Sequence, residues 1–172
     1  MKIARRKVVA VIGAGAPLDA ATEEKCLALG ELAIDAGFRI ATGGLGGVMD
    51  AVSRGARRAA SYREGDIVGI LPTYDRESAS AAVDIVIPTG LGIARNIVLV
   101  STADVIIAVG GGSGTLSEIA VAWQLGKPIV ALTSIAGWSH DLADRAIDDR
   151  RTDRIAKAET PEQAIALARA LA

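Results

Sequence analysis

Two charged residues stand where they could do chemistry. Glu118 closes "VGGGSGTLSE", in which four glycines, Ser113, Thr115 and Ser117 separate an apolar run from a helical pattern. Arg95 lies in "TGLGIARN", beside another glycine turn and at the opening of a helical segment. A helix beginning near Gly114 places Thr115 and Glu118 three residues apart on one face. A phosphate at the Thr115 hydroxyl would then leave Glu118 within reach of the sugar or the next group along. An acid in the first turns of a helix also complements its dipole, and spacing alone does not separate the two roles. Arg95 near a phosphate could bind it directly or orient a carboxylate through its forked guanidinium. The alternative for Arg95 is an ordinary surface position.

Glycine turns follow three β-branched runs: "IGAGAP" at 12–17, "TGGLGG" at 42–47 and "VGGGSG" at 109–114. Beyond the carboxyl ends of parallel strands, such turns let backbone N–H groups approach an anion while the next helix presents its positive end. The candidate cradle is therefore Gly13, Gly43, Gly44, Gly111, Gly112, Ser113, Gly114 and Thr115. Tyr74, in the loop "PTYDRESAS", is a candidate mobile flap. Leu18 occupies the place of the third glycine of a dinucleotide fingerprint, and no acid ends "FRIAT", which speaks against a standard NAD site. "GGGSGT" lacks the Lys-Ser/Thr pair of a triphosphate loop. A monophosphate or a pterin phosphate remains.

The elements around these turns alternate. "KVVAVIG", "FRIATGG", "DIVGILP", "VDIVIPTG", "DVIIAVGGG" and "PIVALT" read as strands, and "RIAKAE" as a short edge strand. Helical patterns run from about Thr22 to Ala36, through "GVMDAVSRGARRAA", "IARNIVLVSTA", "GTLSEIAVAWQLG" and "WSHDLADRAIDD", and from a Thr160 cap with Pro161 and Gln163. Alternation of this kind predicts right-handed crossovers. The expected fold is α/β, one Rossmann-like doubly wound domain over 1–172, its mostly parallel sheet of about seven strands flanked by helices. Trp123, on one of these helices, is either core or part of a dimer face.

Composition agrees and excludes. Of 172 residues 51% are hydrophobic but only 3% aromatic, so the core must be aliphatic, as in covered parallel sheets. Nineteen basic residues against 20 acidic ones leave no field to track nucleic acid. The clusters Arg5-Arg6-Lys7 and Arg57-Arg58 read as solvated faces. One cysteine, Cys26, and one histidine, His140, exclude an internal disulfide and paired-ligand metal sites, and make a Ser-His-Asp triad improbable. "ARRKVVAVIGAGA" imitates a signal peptide but reads better as a first strand entering a turn. No apolar run approaches a membrane span, so a cytoplasmic location is expected.

In order, "TGGLGGVMDAVSRGA", "GLGIARN" and "GGGSGTLSE" resemble the LONELY GUY (LOG) superfamily, a Rossmann-like group once called lysine decarboxylases, from the first strand to about Thr133. Its phosphoribohydrolases carry PGGxGTxxE as phosphate loop and catalytic Glu, with an upstream Arg. The resemblance implies that Gly111, Gly112, Gly114 and Thr115 form the loop, that Glu118 is the acid and that Arg95 completes the pair. Glu118 would engage the ribose of a nucleoside 5′-monophosphate as its N-glycosidic bond breaks, with Arg95 holding it in place. Three positions depart: Gly110 replaces the proline, Ser117 the first acid, and Asn96 a basic residue. With these the chain is more similar to molybdenum-cofactor carrier proteins and their bacterial relatives. That resemblance implies binding of a phosphate-bearing nucleotide- or pterin-type ligand, molybdenum cofactor included, without turnover and with no required cofactor. Hydrolysis of nucleoside monophosphates is the alternative. The resemblance also implies a homo-oligomer, dimer or tetramer. DNA-processing proteins share the fold, but balanced charge and scarce aromatics oppose single-stranded DNA as a partner.

Overall fold

A computed structural model describes residues 5–172. Ala4, where the signal-like segment begins, lies outside them, and the rest of its apolar run is the first strand. Seven strands form: β1 (Val8–Gly13), β2 (Arg39–Thr42), β3 (Ile67–Leu71), β4 (Ile85–Pro88), β5 (Val105–Val109), β6 (Ile129–Leu132) and β7 (Ala156–Ala158). Between and after them come α1 (Ala20–Asp35), α2 (Val48–Ala56), α3 (Arg95–Thr102), α4 (Ser113–Gln124), α5 (Trp138–Leu142) and α6 (Pro161–Leu171). The sheet runs β4-β3-β2-β1-β5-β6-β7 and every pairing is parallel. The chain winds outward from β1 to β4, then returns to start again at β5. The strand order therefore reverses between β1 and β5, which opens a crevice at their carboxyl ends.

Both faces are covered, so the central strands are apolar throughout rather than alternating: all of β5 and β6 is buried. Val9, Val11, Ile40 and Ile107 face α1, α2 and α6, whereas Ala10, Ile12, Ile106 and Ala108 face α3 and α4. Trp123 belongs to the second layer at 1% exposure. It donates from Nε1 to Asp148 at 2.7 Å, and the Arg151 guanidinium lies 4.5 Å from its ring. Of the two places left open for Trp123, its burial selects the core. Burial also pushes the Cys26 thiol up to about 12, leaving it an inert small hydrophobe.

The helix from "WSHDLADRAIDD" is shorter than its pattern, ending at Leu142. Ala143 is extended and Asp144 takes φ 58°, donating its N–H to Ile155 at 2.9 Å. A long-range backbone bond has overridden local propensity. Helix α1 begins two residues before expectation because Asp19 accepts the Thr22 N–H at 2.9 Å. In α6 Gln163 reaches back to Glu159 N–H at 2.8 Å while Thr160 accepts from Gln163 N–H.

The basic clusters are not merely solvated. Asp66, Asp84 and Asp104 immediately precede β3, β4 and β5. Asp84 accepts from Tyr62 Oη at 2.6 Å, Arg57 Nη2 at 2.7 Å and the N–H groups of Ile67 and Gly65. Asp104 takes both Arg5 and the Val8 N–H, which holds its carboxyl below the usual range, and Asp66 pairs with Arg6. These acids fix the amino edge of the sheet. Among the described residues no helix is long and apolar enough to cross a membrane.

Helices α1 and α2 touch backbone to backbone. A Cβ on Gly30 would overlap the Val52 carbonyl, and one on Gly55 the Leu27 carbonyl. In an exposed helix Gly→Ala gains about 1 kcal/mol. Here Gly30→Ala should instead lose about 1–3 kcal/mol, because a backbone carbonyl cannot rotate away. Urea unfolding checks the sign, and a stabilised variant would mean the helices do not meet there.

Candidate functional site

The three glycine turns come together because β2, β1 and β5 are adjacent. Val48 N–H donates to Ala14 carbonyl at 2.9 Å, tying the second turn to the first. Gly47 sits at φ 62° with no room for a Cβ against that carbonyl, so only glycine passes. The third turn is pinned from below by a fully buried residue, Ser139. Its Oγ accepts from Gly110 N–H at 2.7 Å and donates to Leu132 carbonyl at 3.0 Å. Trp138 N–H and Ser139 N–H donate to the carbonyls of Gly111 and Gly110. Held this way, the turn delivers Gly112 as an N-cap without a side-chain capping bond. Leu116 N–H is the first to bond within α4, to Gly112 carbonyl at 3.0 Å. The N–H groups of Ser113, Gly114 and Thr115 thus have no helical acceptor.

They line a cleft of about 420 Å³ at the β1/β5 reversal, together with Gly13, Arg95 and Glu118. Seven sequence candidates therefore converge: Gly13, Gly112, Ser113, Gly114, Thr115, Arg95 and Glu118. Gly43 lies beneath the Arg95 guanidinium and Met49 sulfur, Gly44 packs on Leu71 and Gly69, and Gly111 on Thr115, so these three shape the cleft without lining it. Tyr74 is 80% exposed, its ring laid over Gly90, and does not line the cleft. Ala14, Gly15, Ala16, Leu45, Met49 and Asn96 line it and were not singled out as site residues. Backbone-lining positions and an apolar Met carry no chemical signature, so only the fold could reveal them. A larger hollow of about 600 Å³ lies beyond β6 and β7 around His140, Lys157 and Glu159. Its groups are already committed: Lys157 to Glu159 at 2.9 Å, and His140 Nδ1 to Thr133 carbonyl at 2.7 Å. The smaller cleft is the better candidate because its Arg95 donors and the first N–H groups of α4 are not.

Arg95 and Glu118 are 8% and 7% exposed. Among the described residues, neither Nε nor Nη1 of Arg95 has any hydrogen-bond partner, Glu118 included. No hydrogen bond joins Arg95 to Glu118 among the described residues, and the two attract across space. Burial lowers the guanidinium pKa against that attraction, and pushes the Glu118 carboxyl up to about 7 despite it. The departures at 96 and 117 are one feature, since Asn96 Nδ2 donates to Ser117 Oγ at 2.9 Å and Ser117 Oγ to Gly114 carbonyl at 2.7 Å. A neutral hydrogen bond therefore links α3 to α4 beside the charged pair. The arrangement can hold an anion, on open N–H groups and a guanidinium with free donors, and can offer it a carboxyl that is half protonated near neutrality.

The raised Glu118 pKa sets a pH dependence. The unfolded carboxyl releases its proton near 4.5 and the folded one near 7, so the folded state holds more protons between. Stability must fall as pH rises through that window and level off above it. Glu118→Gln should remove this slope. The stability difference between variant and wild type should move by about 3 kcal/mol in the variant's favour from about pH 4 to about pH 8. Parallel denaturation curves at all pH values would place Glu118 in water.

The model of the SLOG cluster4 family matches residues 6–165. An uncharacterized protein of Archaeoglobus fulgidus is 41% identical over 124 residues, 72% of this chain and 78% of its own. The molybdenum cofactor binding protein from the phototrophic bacterium Rippkaea orientalis superposes with a TM-score of 0.81 at 34% identity, covering 96% of this chain and 97% of that one. The molybdenum cofactor carrier protein of Chlamydomonas reinhardtii does so with a TM-score of 0.80 at 30% identity, over 96% and 98%. With its sheet order, its three converging glycine turns and this match along nearly its whole length, the chain belongs to the SLOG cluster4 family, within the LOG-like Rossmann superfamily and on its molybdenum-cofactor-carrier side.

Proposed function

We propose that the protein binds a phosphate-bearing ligand of nucleotide or pterin type in the β1/β5 cleft and does not turn it over. The observation that carries this is Arg95, a buried guanidinium whose Nε and Nη1 meet no protein acceptor, beside the uncapped start of α4. Donors desolvated without partners are costly, and a ligand phosphate would satisfy both sets together. The cleft falls within the volume range of small-molecule sites. Molybdenum cofactor, which two similar structures are named for, has the phosphate and the pterin that this reading calls for, as cargo.

One observation favours a second reading, hydrolysis of nucleoside 5′-monophosphates. A carboxyl titrating at about 7 is poised as a general acid or base. Against it, Arg95 does not hold Glu118, and the neighbouring pair Asn96–Ser117 is neutral. Holding is favoured over turnover on that ground.

Calorimetric titration with isolated molybdenum cofactor and with AMP tests binding, and chromatography of free base tests turnover. Arg95→Ala should weaken phosphate-ligand binding about 10- to 100-fold. Gly112→Val should abolish binding in a folded protein, since a Cβ there meets only open space and φ is −102°. Binding that survives both changes would put the cradle elsewhere. Release of adenine from AMP that vanishes in Glu118→Gln would make the protein a hydrolase.

A further inference from the structure

Arg95 and Glu118 form an isolated pair. Helix α4, which carries Glu118, packs against α3, α5, β1, β5 and β6. In α3, α4 and these three strands Arg95 and Glu118 are the only charged residues. His140 and Asp141 of α5 are exposed, and His140 Nδ1 donates to the Thr133 carbonyl. Asp148 and Arg151 meet α4 at Trp123, more than a turn beyond Glu118. On α2, next to the cleft residue Met49, Asp50 is bonded to Arg54 and Ser80, and Arg54 to Glu23. Arg95 is therefore the one charge that bears on Glu118.

That isolation lets charge be counted. The cleft is lined by Arg95 and Glu118 and by no other charged side chain among the described residues. With Glu118 ionised the two cancel, and an entering anion meets no net attraction. With Glu118 protonated the guanidinium acts alone. Thr115 and Glu118, three residues apart on α4, have their Cβ atoms about 5–6 Å from each other. An anion on the first N–H groups of α4 is thus a near neighbour of the Glu118 carboxyl. Two negative groups sharing a site do not both stay ionised without cost, and one pKa rises. Among the described residues no hydrogen bond reaches this carboxyl to hold it ionised, and burial alone already pushes it up to about 7. A neutral carboxyl also has an O–H to give, which the oxygens of a phosphate dianion accept.

We infer that Glu118 enters the complex as a neutral carboxylic acid, donating its O–H to the bound anion, so that binding takes up a proton. This rests on the reading of the cleft as a phosphate site and names what regulates it. Ligand is gripped on the acid side of neutrality and let go as pH rises. Below about 7 the free protein already carries the proton, so binding takes up little. Above it uptake approaches one proton, and affinity falls by up to about tenfold per pH unit. The unbonded pair gains a use on this account. A salt bridge from Arg95 would hold the acid ionised and occupy donors that the ligand needs.

Calorimetric titration of the full chain with AMP, from about pH 7 to about pH 8.5, tests it. A phosphate ester loses its second proton near about pH 6, so a slope in this range belongs to the protein. Wild-type affinity should fall about 10-fold across it, and buffers of different ionisation heat should count roughly 0.5 to 1 proton taken up per AMP. Glu118→Gln, uncharged but with an N–H to donate, should flatten the slope and bind AMP about 10-fold more tightly than wild type at about pH 8.5. Circular dichroism confirms that the variant folds, and the proton count needs the wild type only. AMP binding with no slope and no proton uptake would overturn this inference and leave the ligand reading standing. A folded Glu118→Gln that keeps the wild-type slope would do the same. A wild type that binds neither AMP nor isolated molybdenum cofactor at any pH would overturn the ligand reading, and this inference with it.

Discussion

A guanidinium with two nitrogens buried and, among the described residues, unpartnered is an unusual thing for a fold to tolerate, and much of this one is arranged to hold Arg95 in that state. Removing a charged group from water is costly unless partners replace the water. Here the natural partner, Glu118, lies near enough to attract Arg95 but is not bonded to it. Gly43 must lack a side chain for the guanidinium to lie where it does. The Asn96–Ser117 hydrogen bond locks α3 to α4 beside it. The turn before α4 is in turn stapled by Ser139 to β6. On the proposed reading, this cost is what a ligand phosphate relieves, which gives the unbonded pair a reason.

The sheet divides its work between its two ends. At the amino edge, Asp66, Asp84 and Asp104 take arginines and backbone N–H groups from several elements. Among the described residues no buried side-chain polar atom there lacks a partner, as expected of an edge that only has to be stable. At the carboxyl edge, the donors of α4, Arg95 and the half-protonated Glu118 are left unanswered. Stability traded away at one end of a rigid scaffold is the ordinary signature of a binding site.

The charge balance inside the cleft bears on whether a ligand would be held or cut. A glycosidase needs its acid and its positive group to act together as charge develops. The neutral Asn96–Ser117 bond beside an unclamped Arg95–Glu118 pair offers less preorganisation than a fixed ion pair would. Burial nevertheless raises the Glu118 carboxyl to about 7, within the range a general acid or base uses.

The sequence by itself determined the α/β alternation, the aliphatic core and the three turns, because periodicity and glycine are local signals. It also named Arg95, Glu118, Gly112, Ser113, Gly114 and Thr115, since chemistry-bearing types at a strand end are visible in one dimension. What it could not decide depended on which strands are neighbours. That β1, β2 and β5 lie side by side is a property of winding order, and only this brings the turns into one cleft. Burial separated Trp123 from any surface role, and proximity joined Arg57 to Asp84 instead of leaving it in water. The state of Arg95 and Glu118 was the least legible of all. Whether two opposite charges pair or merely face each other is settled by a few ångströms of backbone placement, and those are set by packing far along the chain.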